Sequence, residues 1–140
     1  MRNIFIACDT NNTKIAKKII KQSQVQLKGY KIGYKFGLEF FYSKNGRKFI
    51  EKLKVKNLWL DIKAYDIPNT SFAAIKSLKD LKNISYITVH ISGGFQMLKA
   101  VKKASKKFNK KLKIIGVTIL TSFSNSSIKE VGYTKSIKDL

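Results

Sequence analysis

The feature that most constrains the fold of this chain is a regular alternation between short apolar runs and segments of helical period. The apolar runs are rich in Ile, Val, Phe and Tyr, and they are too continuous for a sheet with one solvated face. The segments between them space their apolar residues as a helix with one buried face does. This alternation predicts βα units around a parallel sheet. The predicted strands are residues 3–8, 30–36, 58–62, 86–91 and 114–120, and the predicted helices are residues 12–23, 46–53, 71–81 and 94–108.

Polar residues stand at or just after the C-terminal end of each predicted strand. In a (β/α)8 barrel the active site is assembled from residues at those positions, with one or two from each strand. A doubly wound sheet binds mostly at one switch point and has a glycine-rich first loop, whereas the first loop here contains no GxGxxG. The pattern therefore favours an α/β fold of the (β/α)8 TIM-barrel type. The strand-end residues are Asp9, Lys35, Asp61 with Lys63, His90 with Ser92, and Thr121 with Ser122.

The length of the chain is short for such a barrel. A TIM barrel typically takes about 250 residues and at the least about 200, and this chain has 140. Its single proline, Pro68, precedes a predicted helix, and no linker or shift in composition marks a second domain. Residues 1–140 are therefore expected to form the N-terminal part of a single TIM-barrel domain and to supply roughly its first five βα units.

The net charge of +21 arises from 29 basic and 8 acidic residues. Such a charge ordinarily suggests nucleic acid or an anionic membrane surface as a partner. However, only Arg2 and Arg47 are arginine, and arginine is the residue that base readout and bidentate phosphate binding favour. The lysines are spread along the chain at helical spacing, as on solvated helix faces. We therefore expect no nucleic-acid and no membrane partner, and a lysine-rich nucleic-acid-binding α/β module is the weaker alternative.

The cysteine content and the apolar runs indicate the compartment. Cys8 is the single cysteine, so it can form no internal disulfide, and it has no CxxC partner for a zinc site. It is expected to be an inert thiol in the core. Asp9 ends the first apolar stretch too early for a secretory signal, and no apolar run reaches the roughly 18 residues of a membrane span. These features predict a cytoplasmic protein.

The densest group of chemically active residues lies at the end of the third predicted strand. Asp61 and Lys63 are two positions apart, so on a strand their side chains point to the same face. Asp9, Asp61 and Asp66 are three of the few acidic residues, and all lie at strand ends or just beyond. A carboxylate–lysine–carboxylate array holds an ammonium group as a proton donor in a fixed negative field. The spacing favours a catalytic role for these residues. The alternative is a structural role, as an ion-pair network that caps the barrel.

These residues match the DxKxxD motif of the orotidine 5'-phosphate decarboxylase superfamily, which the chain resembles. The continuation at residues 66–70, DIPNT, is similar to the decarboxylases of orotidine 5'-phosphate rather than to the sugar-phosphate enzymes that share DxKxxD. Four further segments resemble the family motifs of strands one, two, four and five in order. They are IACD at 6–9, KFGLEFF at 35–41, VHISGG at 89–94 and VTILTS at 117–122.

The resemblance implies a carboxy-lyase that converts orotidine 5'-phosphate to uridine 5'-phosphate (UMP) and CO2 in de novo pyrimidine biosynthesis, without metal, flavin or other cofactor. It implies that Asp61 lies beside the substrate carboxylate and that Lys63 protonates C6 of the pyrimidine. It also implies a homodimer in which Asp66, a catalytic residue, and Thr70 reach the partner's site. The substrate-binding residues it implies are Asp9 and Lys35 at the ribose, Thr121 and Ser122 at the pyrimidine, and Asp61, Ile62, Lys63, Ala64, Tyr65, Asp66, Ile67, Pro68, Asn69 and Thr70 around the motif.

Several alternatives stay open at the level of sequence. A sugar-phosphate decarboxylase or aldolase of the same superfamily, which normally requires magnesium, is the first alternative function. Lys31 competes with Lys35 for the second-strand role, although the following GLEFF favours Lys35. A lone histidine such as His90 is more often structural than catalytic. The family binds the substrate phosphate with residues after its last strands, so residues 1–140 alone are expected to have lost most activity.

Overall fold

The computed structural model describes residues 2–139. Five strands form one sheet, and neighbours in the sheet follow the order of the chain. All four pairings are parallel. A doubly wound sheet reverses its order at a switch point, and this sheet does not, so its topology is that of successive units of a βα barrel. The strands are β1 (Arg2–Ala7), β2 (Tyr30–Gly37), β3 (Leu58–Ala64), β4 (Ile84–His90) and β5 (Lys113–Val117).

Helices connect each strand to the next. The first helix starts after Asn12, whose side chain accepts hydrogen bonds from the first helical amides. Two 3-10 turns, Ile91–Gly93 and Ile137–Asp139, complete the elements. The α-helices are α1 (Thr13–Gln22), α2 (Leu38–Tyr42), α3 (Gly46–Lys52), α4 (Pro68–Ser77), α5 (Gly94–Phe108) and α6 (Ser127–Glu130).

Several elements differ from the predictions, and three of the differences have a clear physical reason. Helix α2 was not predicted, because LEFFY is a single turn with no room for a helical period. Helix α4 begins at Pro68 rather than at residue 71, since proline has the right φ for a first helical position and needs no amide partner there. Pro68 and Thr70 are thus helical residues and not loop residues. Strand β5 ends at Val117 rather than at residue 120, because its partner β4 ends at His90, which pairs with Val117.

The core lies between the sheet and the helices. Alternate strand residues point outward into it, and each helix contributes its apolar face. The opposite face of the sheet corresponds to a barrel interior and is only partly buried. There the Phe5 ring makes edge-to-face contacts with Trp59 and Tyr86, at centroid distances of 5.4 and 5.2 Å. The most deeply buried core residues include Tyr34, Phe36, Phe40, Ile50, Leu58, Leu60, Ile87, Val89, Met97 and Val101.

Cys8 belongs to this core and is fully buried, as predicted. Burial, and secondarily the negative charge of Asp9, raises the pKa of the thiol from 9.0 to about 11. Because the pKa is raised on folding, the contribution of the protonated thiol to stability is complete below the unfolded pKa. It is lost as the pH rises through about 11.

We therefore predict that Cys8 reacts slowly with a thiol-specific reagent in native buffer near pH 8. The thiolate fraction of the folded chain there is about a hundredfold lower than that of the unfolded chain, and the side chain is also shielded. Labelling followed by mass spectrometry, with and without guanidinium chloride, measures the difference. Equal rates in the two solutions would contradict an inert thiol.

The sheet has two open edges among the described residues, β1 on one side and β5 on the other. Open edges and a half-covered apolar face favour association between chains, whereas a closed barrel has no edge. We predict that residues 1–140 expressed alone are poorly soluble or lack fixed packing, despite the charge of +21, unless a second chain completes the barrel. Amide exchange and near-UV circular dichroism test this. Strong protection of all five strands with a cooperative melt would refute it.

Candidate active site

Four charged side chains meet at the carboxyl ends of the first three strands. Asp9 follows β1, Lys35 lies near the end of β2, and Asp61 and Lys63 lie in β3. Lys35 Nζ lies 3.8 Å from Asp9 Oδ1 and donates a hydrogen bond of 3.4 Å to Asp61 Oδ2. Lys63 Nζ donates to Asp61 Oδ1 at 2.9 Å. The charges thus alternate in sign along one rim, and the array contains Asp9 and Lys35 with Asp61 and Lys63 but not Asp66.

Asp61 is the centre of this array. Its side chain is only 13% exposed, and burial by itself raises the pKa of a carboxyl group. Hydrogen bonds from Lys63 and Thr88, together with the charges of Lys63 and Lys35, outweigh burial and lower the pKa of Asp61 below its ordinary value of 3.8. Asp61 is therefore ionised at neutral pH and holds two ammonium groups in place.

The backbone at Lys63 departs from a regular strand. Its φ is 47°, in the left-handed region where a residue with a side chain costs about 1–3 kcal/mol. The pairing of β3 with β4 also shifts here, from Leu60 opposite Ile87 to Ala64 opposite Val89. An advance of four residues along β3 is therefore paired with an advance of two residues along β4. Such a bulge re-aims side chains and is common beside active sites.

Thr88 of β4 is a site residue that the sequence analysis missed. It is 2% exposed, and its Oγ1 accepts a hydrogen bond of 2.9 Å from the Lys63 backbone N–H. The same hydroxyl donates to Asp61 Oδ1 at 2.9 Å. The available signal was a polar residue two positions before His90, on the face of β4 that alternation turns toward the barrel interior.

Two cavities flank Asp61 and Lys63. One, of about 290 Å³, is lined by polar and charged residues that include Asp9, Thr10, Lys35 and Glu39. The other, of about 410 Å³, is mostly apolar. Its lining includes Trp59, Thr88, Ile115, Val117, Ile119, Leu120, Thr121 and Ser122. Thr121 and Ser122 therefore lie beside the charged array, although they belong to a turn and not to the end of β5.

The rest of the DxKxxD segment points away from this array. Asp66 is exposed; its Oδ1 accepts a hydrogen bond from the Ile67 N–H, and its carbonyl accepts one from the Ser71 hydroxyl. Within residues 2–139, Asp66 takes part in no ion pair. Ile62 and Ala64 are partly buried, whereas Tyr65, Ile67, Pro68, Asn69 and Thr70 are exposed.

The ambiguous lysine and histidine also have definite positions. Lys31 pairs with Asn3 near the start of β2, at the opposite end of the sheet from the array, so Lys35 is the lysine that joins the site. The His90 ring packs near Tyr65, with centroids 5.6 Å apart. His90 and Tyr65 line a separate cavity of about 410 Å³ above β4 and β5.

No cluster of three or more metal-binding side chains occurs in the described part of the chain. Across residues 2–139, no helix is both long and apolar enough to cross a membrane.

Solved structures with a similar fold include the orotidine 5'-phosphate decarboxylase from Lactobacillus acidophilus. The similarity has a TM-score of 0.85 at 30% identity and covers 99% of this chain and 63% of that one. The corresponding enzyme from Methanocaldococcus jannaschii, complexed with the inhibitor BMP, gives a TM-score of 0.67 at 33% identity over 84% of this chain and 52% of that chain. The predicted fold, the first five units of a TIM barrel, is thereby confirmed.

Curated relatives agree with the structural similarity. The orotidine 5'-phosphate decarboxylase of Buchnera aphidicola subsp. Baizongia pistaciae is 40% identical over 134 residues, which cover 93% of this chain and 53% of the relative. That of Carboxydothermus hydrogenoformans is 35% identical over 143 residues, with 98% and 57% covered. The chain spans about half the length of the curated relatives it matches. A model of the family described as "Orotidine 5'-phosphate decarboxylase / HUMPS family" matches residues 2–139, and the chain therefore belongs to that family.

Proposed function

We propose that the protein containing this chain decarboxylates orotidine 5'-phosphate to UMP and CO2, as a step of pyrimidine biosynthesis. The observation that carries the proposal is the alternating array of Asp9, Lys35, Asp61 and Lys63 at the carboxyl ends of neighbouring strands. An array of this kind provides a charged proton donor that is held by fixed carboxylates. Membership of the family supports the same substrate.

The two cavities beside the array suit the two parts of a pyrimidine nucleotide. The charged cavity offers Asp9 and Lys35 as partners for the ribose hydroxyls. The apolar cavity suits a flat base, with the hydroxyls of Thr121 and Ser122 available to its polar edge. Asp61 and Lys63 lie between the two, where the bond between the base and its carboxylate would be located.

The chemistry of the step explains the need for Lys63. When the bond from C6 to the carboxylate breaks, CO2 leaves and the electron pair stays on C6, where no adjacent carbonyl delocalises it. The Lys63 ammonium stabilises this charge and transfers a proton to C6, and the neutral amine regains a proton from solvent. Asp61 holds the ammonium in place. Its negative charge also lies beside the substrate carboxylate, and this repulsion ends when CO2 leaves.

The exposed part of the motif supports a shared site in a homodimer. Tyr65 and Ile67 are 64% and 66% exposed, and apolar side chains this exposed beside a site are typical of a surface that a partner covers. Asp66 stands between them and has no ion-pair partner among the described residues. We propose that Asp66 and Thr70 complete the site of the partner subunit, and that the rest of the segment around them contributes to substrate binding.

The proposal includes a cytoplasmic location and no nucleic-acid or membrane partner. Cys8 is a free, buried thiol, and a chain with one unpaired cysteine is typical of a reducing compartment. The lysines are spread over the chain rather than gathered with arginine, which favours a solvated surface.

The proposal is tested on a completed barrel, defined as this chain joined to the C-terminal part of one of the curated decarboxylases that it matches. Orotidine 5'-phosphate is supplied with and without EDTA, and its conversion to UMP is followed by the decrease in the absorbance of orotidine 5'-phosphate. We expect turnover that EDTA does not reduce. Turnover abolished by EDTA, or turnover of a sugar phosphate alone, would favour the magnesium-dependent members of the superfamily. A completed barrel that melts cooperatively and turns over neither substrate would refute the proposal.

We predict that Lys63→Ala in the completed barrel abolishes turnover and largely spares binding of UMP. Lys63 is proposed to act where the carboxylate departs and to donate the new proton to C6. Binding of UMP needs neither of these functions. Turnover is measured by absorbance and the dissociation constant of UMP by calorimetry. Lys31→Ala, which removes an exposed lysine at the opposite end of the sheet, is the matched control and should keep both values.

Retention of more than about a hundredth of the wild-type turnover by Lys63→Ala would contradict this role, because general acids usually contribute 10²–10⁴-fold.

We also predict that two inactive variants restore activity when their subunits mix. A dimer of one Lys63→Ala subunit with one Asp66→Asn subunit has one site that lacks both groups and one site that is intact. Activity is measured after mixing, and subunit exchange is verified by native mass spectrometry of differently tagged chains. Mixing either variant with itself is the control. Verified exchange without recovery of activity would refute the shared site.

A further inference from the structure

The Asp61–Lys63 segment depends on one hydroxyl group from the neighbouring strand. In a regular parallel ladder, a backbone N–H of β3 would donate to a carbonyl of β4. The shift in register between Leu60 and Ala64 interrupts that ladder. The N–H of Lys63 donates instead to Thr88 Oγ1, at 2.9 Å. A side chain thus takes the place of a backbone acceptor where the segment departs from a regular strand.

The same hydroxyl also fixes the carboxylate beside it. A threonine hydroxyl has one proton to donate and lone pairs to accept. Thr88 Oγ1 gives its proton to Asp61 Oδ1 at 2.9 Å, and Lys63 Nζ donates to that same oxygen at 2.9 Å. Thr88 is 2% exposed, so water does not readily replace the hydroxyl in either bond.

We propose that Thr88 is a positioning residue of this site, whose hydroxyl holds the Lys63 backbone in its left-handed conformation and orients the Asp61 carboxylate, so that the Lys63 ammonium is directed at the reacting carbon. Thr88 touches no reacting atom in this role and acts through Asp61 and Lys63. The inference rests on the proposed decarboxylase function.

The physical reason is that the Thr88 hydroxyl is a buried group on a strand, whereas the other side chains that bond Asp61 are flexible lysines. Lys63 has a flexible four-carbon stem, so the direction of its ammonium depends on its backbone and on the carboxylate that binds it. Its φ of 47° persists only where surrounding contacts impose it. Lys35 and Lys63 also bond the Asp61 carboxylate, but their long stems can move with it, so the short Thr88 side chain limits its rotation. A small displacement of a reacting group lowers the rate strongly while leaving substrate binding almost unchanged.

The test compares Thr88→Val with Thr88→Ser in the completed barrel. Valine keeps the shape of threonine and removes the hydroxyl, whereas serine keeps the hydroxyl and removes a methyl group. Ser105→Ala is the matched control, because Ser105 is also 2% exposed and its hydroxyl bonds only within α5, to the Lys102 carbonyl. Turnover, KM and the dissociation constant of UMP are measured for each variant.

We expect Thr88→Val to lower kcat about 10- to 100-fold, the range for a hydrogen bond to a charged group, with KM and UMP affinity within about threefold. Thr88→Ser should keep kcat within about threefold of wild type, and Ser105→Ala should not change it. Thr88→Val with kcat within about twofold of wild type would overturn the inference. Equal losses in Thr88→Val and Thr88→Ser would also overturn it, since they would indicate packing rather than the hydroxyl.

A second readout does not depend on activity. Carbon-13 NMR of the Asp61 carboxyl reports its titration, and the hydroxyl of Thr88 is one of the groups that lower its pKa. With Lys35 and Lys63 still facing Asp61, Thr88→Val should raise this pKa and Thr88→Ser should not. An unchanged Asp61 titration in Thr88→Val would overturn the inference. If Thr88→Val does not melt cooperatively, Thr88→Ala takes its place, and its kcat and Asp61 titration are compared with those of Thr88→Ser. A wild-type barrel without turnover would count against the proposed function, while the titration would still decide the role of Thr88.

Discussion

The arrangement of the site depends on the ionised carboxylate of Asp61. Two ammonium groups bond to it, one from β2 and one from its own strand, and the hydroxyl of Thr88 reaches it from β4. Burial alone would favour the neutral acid. The cations and the hydroxyl overcome this preference, so three strands are tied together by one negative charge. Without that charge, the two ammonium groups that bond to it would repel each other across the rim.

The sheet makes this meeting of charges possible. Its strands are parallel and follow one another in chain order, so their carboxyl ends share one rim and each strand can deliver its own group. The helices cover the outer face and leave the inner face to the site and to the aromatic cluster of Phe5, Trp59 and Tyr86. The outer face of the strands therefore packs in the core, and the inner face of the same strands carries the site.

Much of this could be predicted from sequence, and the failures have a common cause. Continuous apolar runs located all five strands, and the spacing of Asp61 and Lys63 placed both on one face. The position of each strand is determined mainly by its local sequence pattern. The break in the ladder at Lys63 depends on the register between β3 and β4, which no single segment encodes, so the role of Thr88 was not visible. For the same reason residues 118–120 were assigned to β5, although β4 ends too early to pair with them.

The alternation along β3 has a consequence for how this chain can change in evolution. Trp59, Asp61 and Lys63 face the interior, while Leu58 and Leu60 are fully buried on the helix side. An insertion or deletion of one residue in β3 would exchange the two sets, because side chains alternate with a period of two. A carboxylate would then enter the apolar layer and a leucine would take its place at the rim. Length changes are therefore tolerable in the connections of this fold, but β3 can accept only substitutions.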